Sequence, residues 1–142
     1  DSRQSRGLGD VYKRQTPRDL DLINMKTIAE KVFEPLRFFV GGPIAINSFY
    51  RSPKLNSAIG GSISSQHCIG CAIDIDDTYG YKTNAEMFEY IKGNLDYDQM
   101  IWEFGDDINP AWVHVSYISE DVNRRRCLKA YKESGKTKYK II

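Results

Sequence analysis

The chain holds only two histidines, and where they stand constrains the fold more than any other feature. His67 lies in the run Ser65-Gln66-His67-Cys68-Ile69-Gly70-Cys71-Ala72-Ile73-Asp74, and His114 is the centre of Trp112-Val113-His114-Val115-Ser116. Imidazole with carboxylate is a ligand set suited to zinc, and three protein ligands with one position left open is the catalytic form of such a site. If His67, Asp74 and His114 form that trio, the fold must bring a loop and two separate strands onto one face of a sheet. Taken singly, each residue has a plainer role. A histidine at a strand centre is commonly a hydrogen-bonded core group, and Asp74 can serve a turn or a cap.

With 142 residues, 41% of them hydrophobic, the chain is long enough for one domain with a single core and no disulfide staples. Its 20 basic and 19 acidic residues leave a net charge of +1, which gives no electrostatic case for nucleic acid as the main partner. No apolar run approaches the roughly 18 residues of a membrane span. Three cysteines, Cys68, Cys71 and Cys127, do not make an even disulfide framework, so a reducing compartment fits at least as well as an exported one.

Residues 1–15 are set aside as a non-native segment, leaving 16–142 as the domain. Within them, 5–15 resemble a translated transposase-type sequencing adapter whose end reads Asp-Val-Tyr-Lys-Arg-Gln; the alternative is a native basic tail. On the adapter reading the natural N-terminus is missing, and no signal peptide can be looked for here.

Residues 18–39 read as a helix: Leu20, Ile23, Ile28, Val32 and Leu36 recur near helical spacing, Thr16 can cap, and Pro35 should kink or split the last turn. Residues 44–50 alternate as a strand, and 51–64 are a Gly/Ser/Asn-rich connection with room for a short helix at 55–59. In the strand at 71–76, Asp74 shares a face with Ala72 and Asp76, while Ile73 and Ile75 face the core. Residues 83–95 form an amphipathic helix capped by Thr83 or Asn84. Two more strands follow at 100–103 and 112–117, the second with Trp112, His114 and Ser116 on one face. The basic tail from Asn123 ends in a strand near 138–142. The order, α-β-β-α-β-β, is that of a single α+β domain with helices on a small, mostly antiparallel or mixed sheet. Gly70 suits a turn that returns the chain so that His67 and Asp74 converge.

The segments Asn47-Ser48-Phe49-Tyr50-Arg51-Ser52-Pro53, Leu55-Asn56, Gly60-Gly61-Ser62, Ser65-Gln66-His67-x-x-Gly70-x-Ala72-x-Asp74 and Trp112-Val113-His114-Val115-Ser116 resemble the zinc D-alanyl-D-alanine carboxypeptidase / L-alanyl-D-glutamate endopeptidase family. Its superfamily includes the lysostaphin-type peptidases and the hedgehog domain. The resemblance runs from about Leu20 to the C-terminus. It implies a hedgehog-like peptidase fold and a Zn2+ ion held by His67, Asp74 and His114. It also implies an arginine, Arg51, that binds a substrate carboxylate or carbonyl oxygen, a task suited to the guanidinium fork. Ser65 and Gln66 would orient His67 or be plain loop residues. The implied activity is hydrolysis of amide bonds in peptidoglycan stem peptides at the bacterial cell wall, by a phage or bacterial protein; a phage-encoded copy would be made in the host cytoplasm.

Two positions depart from the family pattern. Many relatives carry Asp or Glu three residues before the second histidine, where this chain has Ala111, which cannot move a proton. Glu103 is the favoured substitute as general base, with Asp106 and Asp107 as the other candidates. A catalytically inactive zinc-binding module, for wall recognition or as part of a phage particle, is therefore the alternative reading. Phe49 stands where glycine is commoner, and its ring could narrow the substrate groove. Cys68 and Cys71 lack the second pair that a structural zinc site needs and read as packing residues. Trp102 and Trp112 line the groove or belong to the core. The basic tail is a solvated face that could also attract an anionic wall polymer.

Overall fold

A computed structural model describes residues 16–62 and 64–142. The segment 1–15, where the sequence predicts an adapter remnant, lies outside the described residues. Helix α1 (Asp19–Ile28) runs through a wider π turn (Ala29–Phe33) into α2 (Glu34–Val40). Then follow β1 (Ala45–Ser48), α3 (Pro53–Ala58), a 3-10 turn (Gln66–Ile69), β2 (Ala72–Asp76) and α4 (Asn84–Asn94). The strands β3 (Gln99–Glu103), β4 (Trp112–Ser116), β5 (Arg126–Glu133) and β6 (Lys136–Ile141) complete the domain. They form one six-stranded sheet in the order β1-β2-β4-β3-β5-β6. All neighbours are antiparallel except β3 and β5, which run parallel. The class is α+β, as the order of elements predicts.

The predicted first helix forms, but in three parts. Pro35 lacks an N–H, and its ring would strike the carbonyl of Lys31 in a regular ladder. The wider turn at Ala29–Phe33 lies where that clash would fall, and the helix continues beyond it. This wide turn also explains the core stripe Ile28, Val32, Leu36 and Val40, all buried. Steps of four residues overshoot an α turn by about 40° each, and a π turn takes part of that back. Leu20 and Ile23, expected on the core side, are 59% and 61% exposed instead. Thr16 is not the cap. The backbone N–H of Arg18 donates to Asp21 Oδ2 at 2.9 Å, and the two side chains pair.

Period-2 alternation divides the sheet. Ile73, Ile75, Met100, Trp102, Val113, Val115 and Cys127 join Ile28, Val32, Leu36, Met87, Phe88 and Ile91 in the main core. Trp102 is therefore a core residue, edge-on to Phe88, and not part of a groove wall. Helix α4 presents its apolar face as predicted, with Thr83 and Glu86 closing a capping box. The sheet's other face is left open, and it carries the chemistry.

The C-terminal tail differs from its prediction. It is a hairpin, not one late strand, with Ser134 and Gly135 both at positive φ in the two-residue turn. Its first strand inserts beside β3, so Leu128 lies opposite Ile101, and Ala130 opposite Glu103.

Candidate metal centre

Three register facts bring the predicted ligands together. Asp74 on β2 is directly opposite His114 on β4, so their side chains share the open face. His67 arrives from the 3-10 turn, which Ser65 caps by accepting the His67 N–H. Gly70 then sends the chain back at φ 75°, and a Cβ there would lie 2.5 Å from the Asp21 carbonyl oxygen. That turn needs glycine for both conformation and space. One ligand atom from each of His67, Asp74 and His114 lies within 4.8 Å of the others.

The tautomer of His67 follows from its neighbours. Nδ1 is 2.8 Å from the Phe49 carbonyl oxygen, which can only accept, so Nδ1 carries the proton and Nε2 a lone pair. That lone pair faces Asp74 Oδ1 at 3.3 Å, and His114 Nδ1 reaches the same oxygen at 3.0 Å. His114 Nδ1 can donate to that oxygen or, with its proton on Nε2, turn a lone pair toward the same space, where a cation would join it to His67 Nε2 and Asp74. Burial alone would raise the pKa of Asp74; hydrogen bonding with His114 is the foremost influence that outweighs it and holds the carboxyl below the usual carboxylate range. The donor set, its closeness and its protonation fit a divalent metal with imidazole and carboxylate preferences, zinc foremost.

Arg51 is beside this group. Its Nη1 donates to Asn56 Oδ1 and its Nη2 to Ser48 Oγ, both at 3.1 Å, and Nη2 lies 3.9 Å from Asp74 Oδ2. A bulge in β1 makes this possible. One extra residue between Ile46 and Ser48 puts Ser48, not Asn47, opposite Asp74. Asn56 is buried and also donates to the Ser62 carbonyl at 2.6 Å; a Cβ at Gly61 would collide with its side chain. Sequence reasoning left Ser48 and Asn56 without roles, although both fall in the segments that carry the resemblance.

Glu103, two residues along β3 from the position facing His114, is buried in the same groove. Burial, and secondarily the Asp74 charge, push its pKa up to about 7. The other candidate bases are occupied elsewhere. Asp106 accepts the N–H groups of Ile108 and Asn109 to form its loop, and exposed Asp107 pairs with Lys129. Ala111 is exposed at the start of β4, where Asn84 holds its carbonyl oxygen at 3.1 Å.

Other predictions shift in detail. Gln66 does not touch the His67 ring; its side chain donates to Asp98, which Arg124 also grips through Nε and Nη2. The ring is oriented by the Phe49 carbonyl, a backbone group with no sequence signature. The Phe49 ring packs against the main core rather than narrowing the groove. Trp112 lines the groove, tilted against Phe104 with ring centroids 5.5 Å apart. Cys71 is buried and its thiol is pushed up to about 11 by that burial, as suits a packing residue. The groove has a volume of about 930 Å³ and runs from Arg51 past the three ligands to the β5–β6 hairpin.

Residues 12–116 match the family model described as Peptidase M15, and the chain belongs to that family. It is thus a peptidase of a zinc-dependent metallopeptidase family, and its His-Asp-His group can hold a metal. No curated protein matches the chain. No helix among the described residues is long and apolar enough to cross a membrane.

Proposed function

We propose that the protein hydrolyses amide bonds in peptidoglycan stem peptides, as a carboxypeptidase or endopeptidase, with zinc held by His67, Asp74 and His114. The bacterial cell wall is its proposed place of action. The observation that carries this reading is the convergence of three ligand atoms in a groove that also contains Arg51 and Glu103.

When bound, zinc supplies Lewis acidity, which polarises a carbonyl and makes water nucleophilic at neutral pH. The rest falls to the chain. The Phe49 carbonyl keeps the His67 proton on Nδ1 and so leaves Nε2 free to bind. Arg51, its fork pre-set by Asn56 and Ser48, orients a substrate carboxylate or carbonyl oxygen. The Glu103 carboxylate takes the proton of the attacking water and passes it to the leaving nitrogen. A carboxyl held near neutrality suits both transfers. This role makes Ala111 compatible with activity, because the proton carrier comes from β3 instead of from the residues preceding His114.

The test is incubation of the zinc-loaded protein with purified peptidoglycan, followed by assay of new amino groups and mass spectrometry of the products. Release that is lost in Glu103→Gln, with zinc content unchanged, supports the mechanism and identifies the bond. Binding without release by the parent protein would overturn hydrolysis in favour of a recognition module. Release untouched by Glu103→Gln would remove Glu103 from the mechanism and leave the metal assignment standing.

A further inference from the structure

The groove does not end at Glu103. Beyond it the open face has a small apolar cluster of its own: Ile101, Leu128 and Ala130 are buried, and Phe104 packs against them. This cluster exists because β5 inserts beside β3, and both its β5 members lie outside the residues matched by the family model. Tyr139 of β6, opposite Ala130, forms the far wall. Above the cluster sits one cation. Lys132 Nζ donates to Thr137 Oγ1 at 2.8 Å and lies 5.5 Å from the centre of the Phe104 ring. Lys132 and Thr137 are directly opposite across the hairpin, so the register fixes this pairing. The ammonium lines the groove and is tethered, yet it has no carboxylate partner among the described ion pairs.

An apolar floor, aromatic walls and one tethered ammonium at the far end suit a particular kind of residue. It has an aliphatic stem that covers the floor and a free carboxylate that reaches the cation. From His114 to Lys132 the chain crosses two strand spacings and climbs about four residues along β5, roughly 16 Å between backbones. Allowing for a lysine side chain, that span corresponds to about three residues of extended peptide.

We propose that the β5–β6 hairpin is a specificity element, a distal subsite in which Lys132, held in place by Thr137, binds a carboxylate carried by substrate about three residues from the amide that is cut. The proposal rests on the reading of the groove as a peptide site. It names the substrate class more closely: an acidic peptide, with its second carboxylate recognised far from Arg51. Thr137 acts on the substrate only by holding the Lys132 ammonium in place.

The experiment is equilibrium binding of synthetic pentapeptides to the zinc-loaded protein, followed by tryptophan fluorescence and calorimetry, so that no turnover is required. A single glutamate is moved through the peptide, and each version is compared with its glutamine counterpart. At one position about three residues from the anchored end, glutamate should bind about three- to fivefold tighter than glutamine, the size expected of a partly exposed ion pair. Lys132→Met should erase that preference, Lys132→Arg should keep it, and Thr137→Val should weaken it, each read as the ratio of glutamate to glutamine affinity on the same variant. Equal binding of glutamate and glutamine at every position would overturn the proposal, as would a preference that survives Lys132→Met. Absence of binding by any peptide would overturn the peptide-site reading and the subsite with it. Binding without cleavage would overturn the hydrolytic function alone.

Discussion

The same strands build both faces of the sheet, and the two faces obey opposite rules. Toward the helices, Ile73, Ile75, Val113 and Val115 are fully buried among apolar side chains. On the open face, one residue along in each strand, stand Asp74 and His114, with Glu103 and Trp112 in the next row. Each fully buried aliphatic side chain on the first face contributes roughly 1.5–3 kcal/mol. The second face holds carboxylates away from water, where burial alone disfavours their charge. One face supplies the stability that lets the other keep such groups close together. Their separation in chain terms is a single residue, so a one-residue slip of register would exchange the two.

Substitutions can break this division of labour, and the largest effect is expected at the centre of the open face. Asp74→Ala removes the oxygen that both imidazoles share. Zinc content should fall to near zero and hydrolysis by roughly a thousandfold or more, with the fold retained by circular dichroism. Glu103→Gln should lower kcat about a hundred- to ten-thousandfold while metal analysis stays at the parent level. On the helix-covered face the sign of the contrast reverses. Phe88→Ala, which also unseats Trp102, should cost about 3–5 kcal/mol in denaturant unfolding and leave zinc stoichiometry unchanged in the cold.

A pH series sharpens the comparison further. The Glu103 carboxyl, ordinarily near 4.5, is pushed up to about 7 in the metal-free protein. Between those values the folded state holds a proton that the unfolded chain releases, so this group makes stability fall as pH rises through that window. Metal-free Glu103→Gln should therefore be more stable than the parent at pH 8, by about 1–3 kcal/mol, with the two converging near pH 4. Parallel stability curves would show that Glu103 is better solvated than its burial implies. The smallest effect belongs to neither face: Leu20→Ser, on the exposed side of α1, should change unfolding free energy by less than about 0.5 kcal/mol.

Local signals made much of this legible. Alternation at 71–76 put Asp74 on one side and Ile73 and Ile75 on the other, because a strand's side-chain period is fixed by its backbone. Thr83 or Asn84 marked the start of α4, and the structure selects Thr83, which closes a capping box with Glu86. The β5–β6 turn also left a trace, Ser134-Gly135, but its lysine-rich flanks lack the clean alternation of a half-buried strand. Leu20 and Ile23 misled for a related reason: helical spacing defines a stripe but not how far along the helix the core extends.

The sequence by itself determined the elements around the site, the faces of β2 and β4, and the three side chains able to act as ligands, because each depends on chemistry within a few residues. Only the tertiary structure decided that the Phe49 carbonyl sets the His67 tautomer, that a bulge brings Ser48 to Arg51, and that β5 runs parallel to β3 and floors the far groove. Each of these features depends on where backbone groups of distant segments meet. Their energy resides in peptide groups common to every residue, so the sequence carries no local mark of which ones will meet.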